Sequence, residues 1–412
     1  MRMCSVNMSD LQSLLFKLHM LAGRGDWNVL HINDETDSDS ETDGGGNSDT
    51  IALNEDTPSV AVARNNEVLH LKDVLLSLTK GCRKIQRDPT NALCRFLFSS
   101  KLPVLERTQM IQDPLLPSTV SYDKSILHEL QDKSNEMVYT QEQAENVCKL
   151  MCDASREAVQ RLHDMKDASS TVSFDVTITR LNKKNRVSWG DNGVEIDNDL
   201  LRKLQRLYIV KNGFLDKHFN RRLFCMLMRY QSLGGSLISM QQSGISKETY
   251  DTYFFEFGVT KECMASPLNS NADVFWSAFT DTDCFFGSKG NFFDASDEEL
   301  LQGGSFMANG PLLEETLEVL QERILYILEK TSEPTSFLFG FPPWPDSVSY
   351  QTLKNSKYCK FYLSIQDTNQ RDVKRGIHRM SLFILQNKGG SEQWTVTDDK
   401  IQKLKKSFNM LD

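Results

Sequence analysis

The sequence predicts an α/β protein, with a Rossmann-like domain in the C-terminal part and a mainly helical domain carrying a small β-hairpin before it. Three observations predict this. A 3.6-residue apolar period dominates the first half. From about Tyr250 the pattern changes to strands alternating with helices, which implies an open, mostly parallel sheet. Between the two, Asp191-Asn192-Gly193 joins short β-type runs as a hairpin turn would.

In chain order, the 412 residues divide into an N-terminal helical segment (1–33), an acidic disordered segment (34–60), a helical domain with the β-hairpin (61–245) and the Rossmann-like domain (246–412). The helical domain is marked by Leu69-Leu71-Val74-Leu75-Leu78. A second mark is the stretch from Gln141 to His163, where Cys148, Cys152, Ala158 and Leu162 continue one face. Thr171–Ile178 alternates like a strand, Arg186–Trp189 and Val194–Ile196 form the hairpin, and helices resume from Asp199 to Met240. In the last domain, Leu313, Leu317, Leu320, Ile324 and Ile327 lie on one face of an amphipathic helix. The apolar run Ser336–Phe341 behind it reads as a buried strand closed by Pro342-Pro343. There is no internal repeat.

Composition excludes several classes. Hydrophobic residues make up 39%, enough for a sizeable core. Nine cysteines lack any framework spacing or Cys-x-x-Cys pair, and no signal peptide or apolar run near a membrane span is visible, so free thiols in a reducing compartment are expected. The seven histidines are scattered without zinc spacing, so no structural metal is expected. No glycine-rich triphosphate loop points to ATP chemistry. The net charge of −9 is carried by nine carboxylates between Asp34 and Asp56, where no Lys or Arg occurs, so the rest of the chain is neutral. That segment reads either as a solvated linker or as a phosphorylatable mimic of nucleic acid. Basic residues gather between Leu201 and Tyr230 and again from Leu353 to the end, either as solvated helix faces or as a grip on phosphates.

Asn309-Gly310-Pro311-Leu312 sits at the mouth of the strand-loop-helix-strand unit, where open α/β sheets bind ligands. As a bare tetrapeptide it also fits a plain loop. The sharper reading is that the Asn309 side-chain oxygen and the Gly310 carbonyl grip an exocyclic amine. An adenine N6 is a poor nucleophile because its lone pair is delocalised into the ring. Two acceptors on its hydrogens favour a pyramidal nitrogen and aim it at the methyl sulfonium of S-adenosylmethionine, an effect of orientation and electrostatics. Pro311 stiffens the loop by fixing φ, and Leu312 covers the base.

The flanking blocks make the motif specific. They are Phe257–Asn269, Ser277–Gly290, Ser332-Glu333-Pro334, Phe341-Pro342-Pro343-Trp344 and Phe383–Asn387. In this order, from about Arg221 to Asn387, the chain resembles the catalytic region of the phosphorylated-CTD-interacting-factor family. That resemblance implies a nuclear enzyme that transfers a methyl group from S-adenosylmethionine to N6 of the 2′-O-methyladenosine next to the mRNA cap. The family's leading WW domain has no visible counterpart. The family usually carries Asn-Pro-Pro-Phe, so Gly310 and Leu312 depart from it, and the lost aromatic removes a stacking contact of roughly 1–3 kcal/mol. Either the enzyme is weakened into a cap- or RNA-binding pseudo-methyltransferase, or the pocket is remodelled to accept an amine already bearing one methyl and yields N6,N6-dimethyladenosine. Methylation of DNA or of a protein amide shares the Asn-x-Pro logic.

By the same resemblance, the small-residue turn Ala265-Ser266-Pro267, with Glu262, Asn269 and Asn309, should hold the cofactor, although the residues of that turn by themselves also fit an ordinary turn. Ser288 lies on a second turn that either lines the cofactor's adenosine, directs Lys289 at an RNA phosphate, or is a plain loop. Trp344 is placed either to stack on 7-methylguanine or to cover the sheet edge. Lys357, His378, Arg379 and Arg222 complete the expected RNA and cap contacts. Capped RNA is the expected partner, with no membrane and no metal.

Overall fold

The computed structural model describes residues 55–99, 112–118, 124–131, 139–168, 175–234, 244–311, 313–366 and 379–410. The expected N-terminal helical segment and most of the acidic stretch lie outside these residues. Residues 52–412 form one unit by their contacts.

The helical part is built on α1 (Pro58–Leu78), α2 (Arg83–Arg87), α3 (Pro89–Ser99), α4 (Lys124–Leu130) and α5 (Gln141–Ala168). Pro58 occupies the first turn of α1, where its missing N–H costs nothing, and the Thr57 hydroxyl accepts from the Val60 N–H at 3.4 Å. Val60, Arg64, Val68, Leu71 and Leu75 face inward, whereas Leu69 is 54% exposed. In α5, Cys148, Cys152, Ala158 and Leu162 are buried, as their spacing requires.

A three-stranded antiparallel meander follows, formed by β1 (Thr177–Leu181), β2 (Lys184–Trp189) and β3 (Asn192–Asp197). The expected hairpin is its β2–β3 half, paired Val187 to Val194. The first turn was not legible because it lacks glycine. Asn182 supplies the left-handed conformation at φ 49° instead. Helices α6 (Asn198–Asn212) and α7 (Phe219–Ser232) then close the helical core, which extends to Phe279 and Phe286.

After α8 (Lys247–Phe257), Gly258 ends the helix at φ 66°, and a Cβ there would lie 2.2 Å from the Trp394 ring nitrogen. The second sheet has the order β5-β4-β6-β7-β9-β8. Its strands are β4 (Val259–Ala265), β5 (Val274–Ser277), β6 (Gly304–Ala308), β7 (Thr335–Phe341), β8 (Cys359–Gln366) and β9 (Arg379–Gln386). Strands β5, β4, β6 and β7 pair in parallel, while β9 runs antiparallel to both β7 and β8. The sheet is therefore mostly parallel, as expected, and mixed only through β9: β8, antiparallel to β9, runs the same way as the other four. Alternation of apolar runs reports strands but carries no direction.

Helices cover both faces. Phe337, Phe339, Phe341 and Phe383 meet Leu317, Leu320, Ile324 and Ile327 of α11 (Glu314–Lys330), each of those four worth about 1.5–3 kcal/mol on burial. On the other face, Leu338, Leu382 and Ile384 pack with Tyr253, Phe257, Ile401 and Leu404 of α8 and α14 (Asp398–Ser407). Shorter helices α9 (Thr280–Asp283), α10 (Asp297–Leu300), α12 (Val348–Asn355) and α13 (Lys388–Gln393) complete the layers. All seven residues of β7 are buried, as a continuous apolar run demands. Among the described residues, no helix is long and apolar enough to cross a membrane.

Candidate active site

The chain passes from β4 outward to β5 and then crosses back to β6 on the other side of β4. At such a reversal the helices diverge and leave a crevice beyond the carboxyl ends of the strands. Strand β4 ends at Ala265 and β6 at Ala308, so the Ala265–Asn269 turn and Asn309-Gly310-Pro311 both open on this crevice. Leu312 lies outside the described residues.

Asn309 is half-buried and held from one side. The N–H of Gly340, on the adjacent strand β7, donates to Asn309 Oδ1 at 3.2 Å. Gly340 is small for a reason: a Cβ there would stand 2.4 Å from Asn309 Oδ1 and 2.9 Å from Met380 Cε. A carbonyl oxygen has two lone pairs, so the oriented Oδ1 keeps one for a further donor. Gly310 behaves differently. Its Cβ would meet Leu320, Leu317 and Met264 at 3.5–3.8 Å, in ordinary contact with the core beneath α11.

The cofactor turn closes on itself. Asn269 Oδ1 accepts from the Ser266 N–H at 2.8 Å and from its hydroxyl at 3.0 Å, and the Ser266 carbonyl accepts from Asn269 and Ser270. Pro267 lies within this loop. Glu262 sits in the middle of β4, 2% exposed, with Oε1 accepting from the N–H groups of Asn271 and Ala272 at 2.5 and 2.6 Å. Burial pushes its carboxyl up to about 7 against the lowering effect of those N–H groups and of Lys203. Lys203, counted in the basic stretch, reaches in from α6 and donates to the carbonyls of Leu268 and Ser270 at 3.2 and 2.7 Å. Burial brings its ammonium down to about 8. Glu262 and Lys203 therefore brace the turn from two sides.

Ser288 is also engaged: its hydroxyl lies 2.7 Å from that of Ser277 and accepts from the Gly290 N–H at 3.1 Å. Beside it, the fully buried Asp283 receives the Tyr230 hydroxyl at 2.5 Å, and burial raises its carboxyl to about 7. Lys289 is exposed at the tip of this turn.

The remaining candidates separate. Trp344 follows the carboxyl end of β7, on the edge that carries Asn309. It is 38% exposed and packs edge-to-face on Phe341 at 6.1 Å. Arg379 opens β9 opposite Gln366 and belongs to that same edge, while His378 lies outside the described residues. Lys357 precedes β8 and lies at the opposite edge, the length of β7 away, roughly 20 Å at about 3.3 Å per residue. Arg222 is drawn into structure. It donates to Glu55 and to the Tyr208 hydroxyl at 2.7 Å each, and its guanidinium lies 4.0 Å from the Phe285 ring centre.

Sequence reasoning missed a buried ionic network next to the site. Asp56 pairs with Arg64 and, at 2.7 Å, with Arg229; Arg229 also pairs with Asp281 at 2.7 Å, and Arg64 with Asp113 at 3.0 Å. It ties α1 and α7 to the α9 segment that leads to Ser288. Residues 55–60, read as the end of a disordered stretch, are therefore ordered, because Glu55 and Asp56 find arginines. The available signal was Arg64, which occupies an apolar stripe between Val60 and Val68.

The chain is similar to known proteins. A family profile described as "Phosphorylated CTD interacting factor 1 WW domain" matches residues 203–374. Despite that description, the matched stretch holds most of the second sheet and the Asn309 motif. Two curated relatives, both named mRNA (2'-O-methyladenosine-N(6)-)-methyltransferase, are similar. The mouse protein (Mus musculus) is 29% identical over 234 residues, 50% of this chain and 33% of that protein. The human protein (Homo sapiens) is 28% identical over 239 residues, 52% of this chain and 33% of that protein. The chain thus spans about a third of the length of these relatives. The matches bear out the resemblance to the phosphorylated-CTD-interacting-factor family.

Proposed function

We propose that the protein is an RNA N6-methyltransferase acting in the nucleus on the adenosine, 2′-O-methylated, that adjoins the mRNA cap, with S-adenosylmethionine as methyl donor. The observation that carries this reading is Asn309, held by the Gly340 N–H at the carboxyl end of β6 with an acceptor lone pair left over. The relatives' names support the substrate class.

The crevice fits the donor. Ser270 Oγ, at the end of the Ser266–Ser270 turn, is buried without a hydrogen-bond partner, a group that a ligand in the crevice can satisfy. Ala265, Ser266, Pro267 and Asn269 would hold the amino-acid end, with Glu262 bracing them from behind and Ser288 lining the adenosine side. When bound, the cofactor supplies an electrophilic methyl group. The protein's part is orientation: Asn309 Oδ1 and the Gly310 carbonyl bind the two amine hydrogens, and Pro311 limits loop motion. No strong base is needed, because the amine sheds its proton after transfer. Trp344 and the exposed Lys289 would contact the cap and phosphates.

The second methyl transfer draws no support from position 310, where a Pro ring would fill core space against Leu317 and Leu320 instead of space beside the amine. The support left for it is the sequence difference at Leu312, where the family carries Phe.

The test is nucleoside mass spectrometry after incubation with labelled S-adenosylmethionine and RNA beginning with adenosine, either capped or bearing a triphosphate. Methylated adenosine on the capped RNA alone is expected, and Trp344→Ala should lose mainly the preference for the cap. Equal rates on both RNAs would refute a cap pocket. A folded protein that binds no S-adenosylhomocysteine would be the pseudo-methyltransferase.

A further inference from the structure

At the sheet edge opposite the crevice lies a cleft of about 360 Å³ lined by Lys357, Tyr358, Lys360, Gln386, Lys388, Ser391 and Glu392. The sequence pattern placed Lys357 with the cap contacts, but the strand order puts the crevice out of its reach. Lys357, Lys360 and Lys388 are all exposed, and none has a carboxylate within ion-pair distance among the described residues. Glu392 on the rim leaves the cleft net basic. Tyr358 offers a half-buried ring, with the Lys357 ammonium 5.0 Å from its centre.

Gln386 supplies the second observation. It is 1% exposed, and its Nε2 donates to the Trp394 carbonyl at 2.9 Å and to Ser336 Oγ at 3.2 Å. The Trp394 oxygen can only accept, which settles which end of the amide is nitrogen. Gln386 Oε1 is then left buried with no partner, which is unfavourable unless a donor reaches it. Hydrogen phosphate supplies negative charge and one O–H donor but has no flat face for Tyr358. A ligand that matches the whole cleft combines negative charge, for three lysines, with an N–H or O–H donor and a flat face for Tyr358. A nucleotide unit has all three: phosphate, base or 2′-hydroxyl donor, and ring.

We propose that this cleft is a second RNA site, binding single-stranded RNA several nucleotides downstream of the adenosine held at Asn309. It rests on the reading of the protein as one that acts on capped RNA. With the two sites at opposite edges of the sheet, roughly 20 Å apart, a short cap fragment fills only the first and a longer transcript engages both. The downstream site favours RNA that has already emerged over free cap nucleotides.

The test compares a capped dinucleotide with a long capped RNA, using the full chain and the Lys360→Ala/Lys388→Ala variant, whose exposed side chains bear no part of the core. For the long RNA, KM should rise about tenfold in the variant, and the slope of log K against log salt should flatten by about 1.4, two phosphate contacts at about 0.7 each. The dinucleotide's KM and the turnover on either substrate should stay. Photocrosslinking of a thiouridine-labelled RNA, mapped by mass spectrometry, should mark Tyr358, and this readout works even if the protein transfers no methyl group. Unchanged KM for the long RNA, crosslinks confined to the crevice, or tighter capture of a phosphoserine peptide than of RNA by this cleft would each overturn the proposal.

Discussion

Replacing Gly340 with Ala places a methyl group where the Asn309 side chain now lies. The new Cβ would stand 2.4 Å from Asn309 Oδ1, whereas ordinary contact begins near 3.4 Å, so about 1 Å of movement is required. The backbone of β7 cannot supply it, since Gly340 is paired with Leu382 in mid-sheet and β7 is buried throughout. Asn309, at the strand's loop end, must yield, and it loses its 3.2 Å hydrogen bond as it goes. A misplacement of about 1 Å at a positioning group can cost on the order of 10²-fold in rate. Deleting the acceptor itself, by Asn309→Ala, should cost about 10²–10³-fold. Gly340→Ala should therefore approach Asn309→Ala in single-turnover methylation of capped RNA. Calorimetry should show S-adenosylhomocysteine affinity little changed in both variants. Stability should fall by about 1–3 kcal/mol from overpacking, so rates are compared well below the melting transition. The decisive measurement is the double variant. If Gly340 acts through Asn309, Gly340→Ala adds nothing once Asn309 is Ala, because the two share one interaction. A full wild-type rate for Gly340→Ala, or losses that multiply in the double variant, would refute the reasoning.

Three further outcomes are expected. Glu262 titrates near 7 when folded against 4.5 when free, so the folded state holds its proton more tightly. Its contribution is fully present below about pH 4.5 and is lost as pH rises through 7, up to about 3 kcal/mol. Melting temperature should fall between pH 5 and 8, and Glu262→Gln, which keeps the acceptor for Asn271 and Ala272, should flatten that fall; a steeper slope in the variant would contradict it. Arg229→Ala strips a side chain that is 0% exposed from Asp56 and Asp281. Denaturant unfolding should show a loss of about 3–5 kcal/mol, and a loss below 1 would mean that the network is solvated. Leu312→Phe restores the ring that the family carries. If Leu312 supplies room for a second methyl, the ratio of dimethyl- to monomethyladenosine should drop in this variant, while Gly310→Pro should leave it unchanged.

Much of the candidate site's framework was legible because its signals are local. The apolar stripe of α11 and the buried run of β7 bracket Asn309 in sequence as they do in space, and the small residues at 265–267 mark a turn by their chemistry alone. The braces behind them were not legible. Lys203 reads as one more cation in a basic helix, and its role as a clamp on the carbonyls of Leu268 and Ser270 depends on a contact across 65 residues. Arg222 reads as a phosphate contact until Glu55, 167 residues away, is brought to it.

The sequence by itself determined the elements, the α/β class and the position of the motif, since periodicity, turn chemistry and residue type act over a few neighbouring residues. Tertiary structure alone decided which strands are neighbours and in which direction they run. That choice put Asn309 against Gly340, sent Lys357 to the far edge of the sheet, and buried Arg64 and Arg229 among carboxylates. The physical reason is that strand pairing and ion pairing join residues distant in the chain. A side chain's charge is printed in the sequence, but whether it faces solvent, a ligand or an opposite charge depends on what the fold sets beside it.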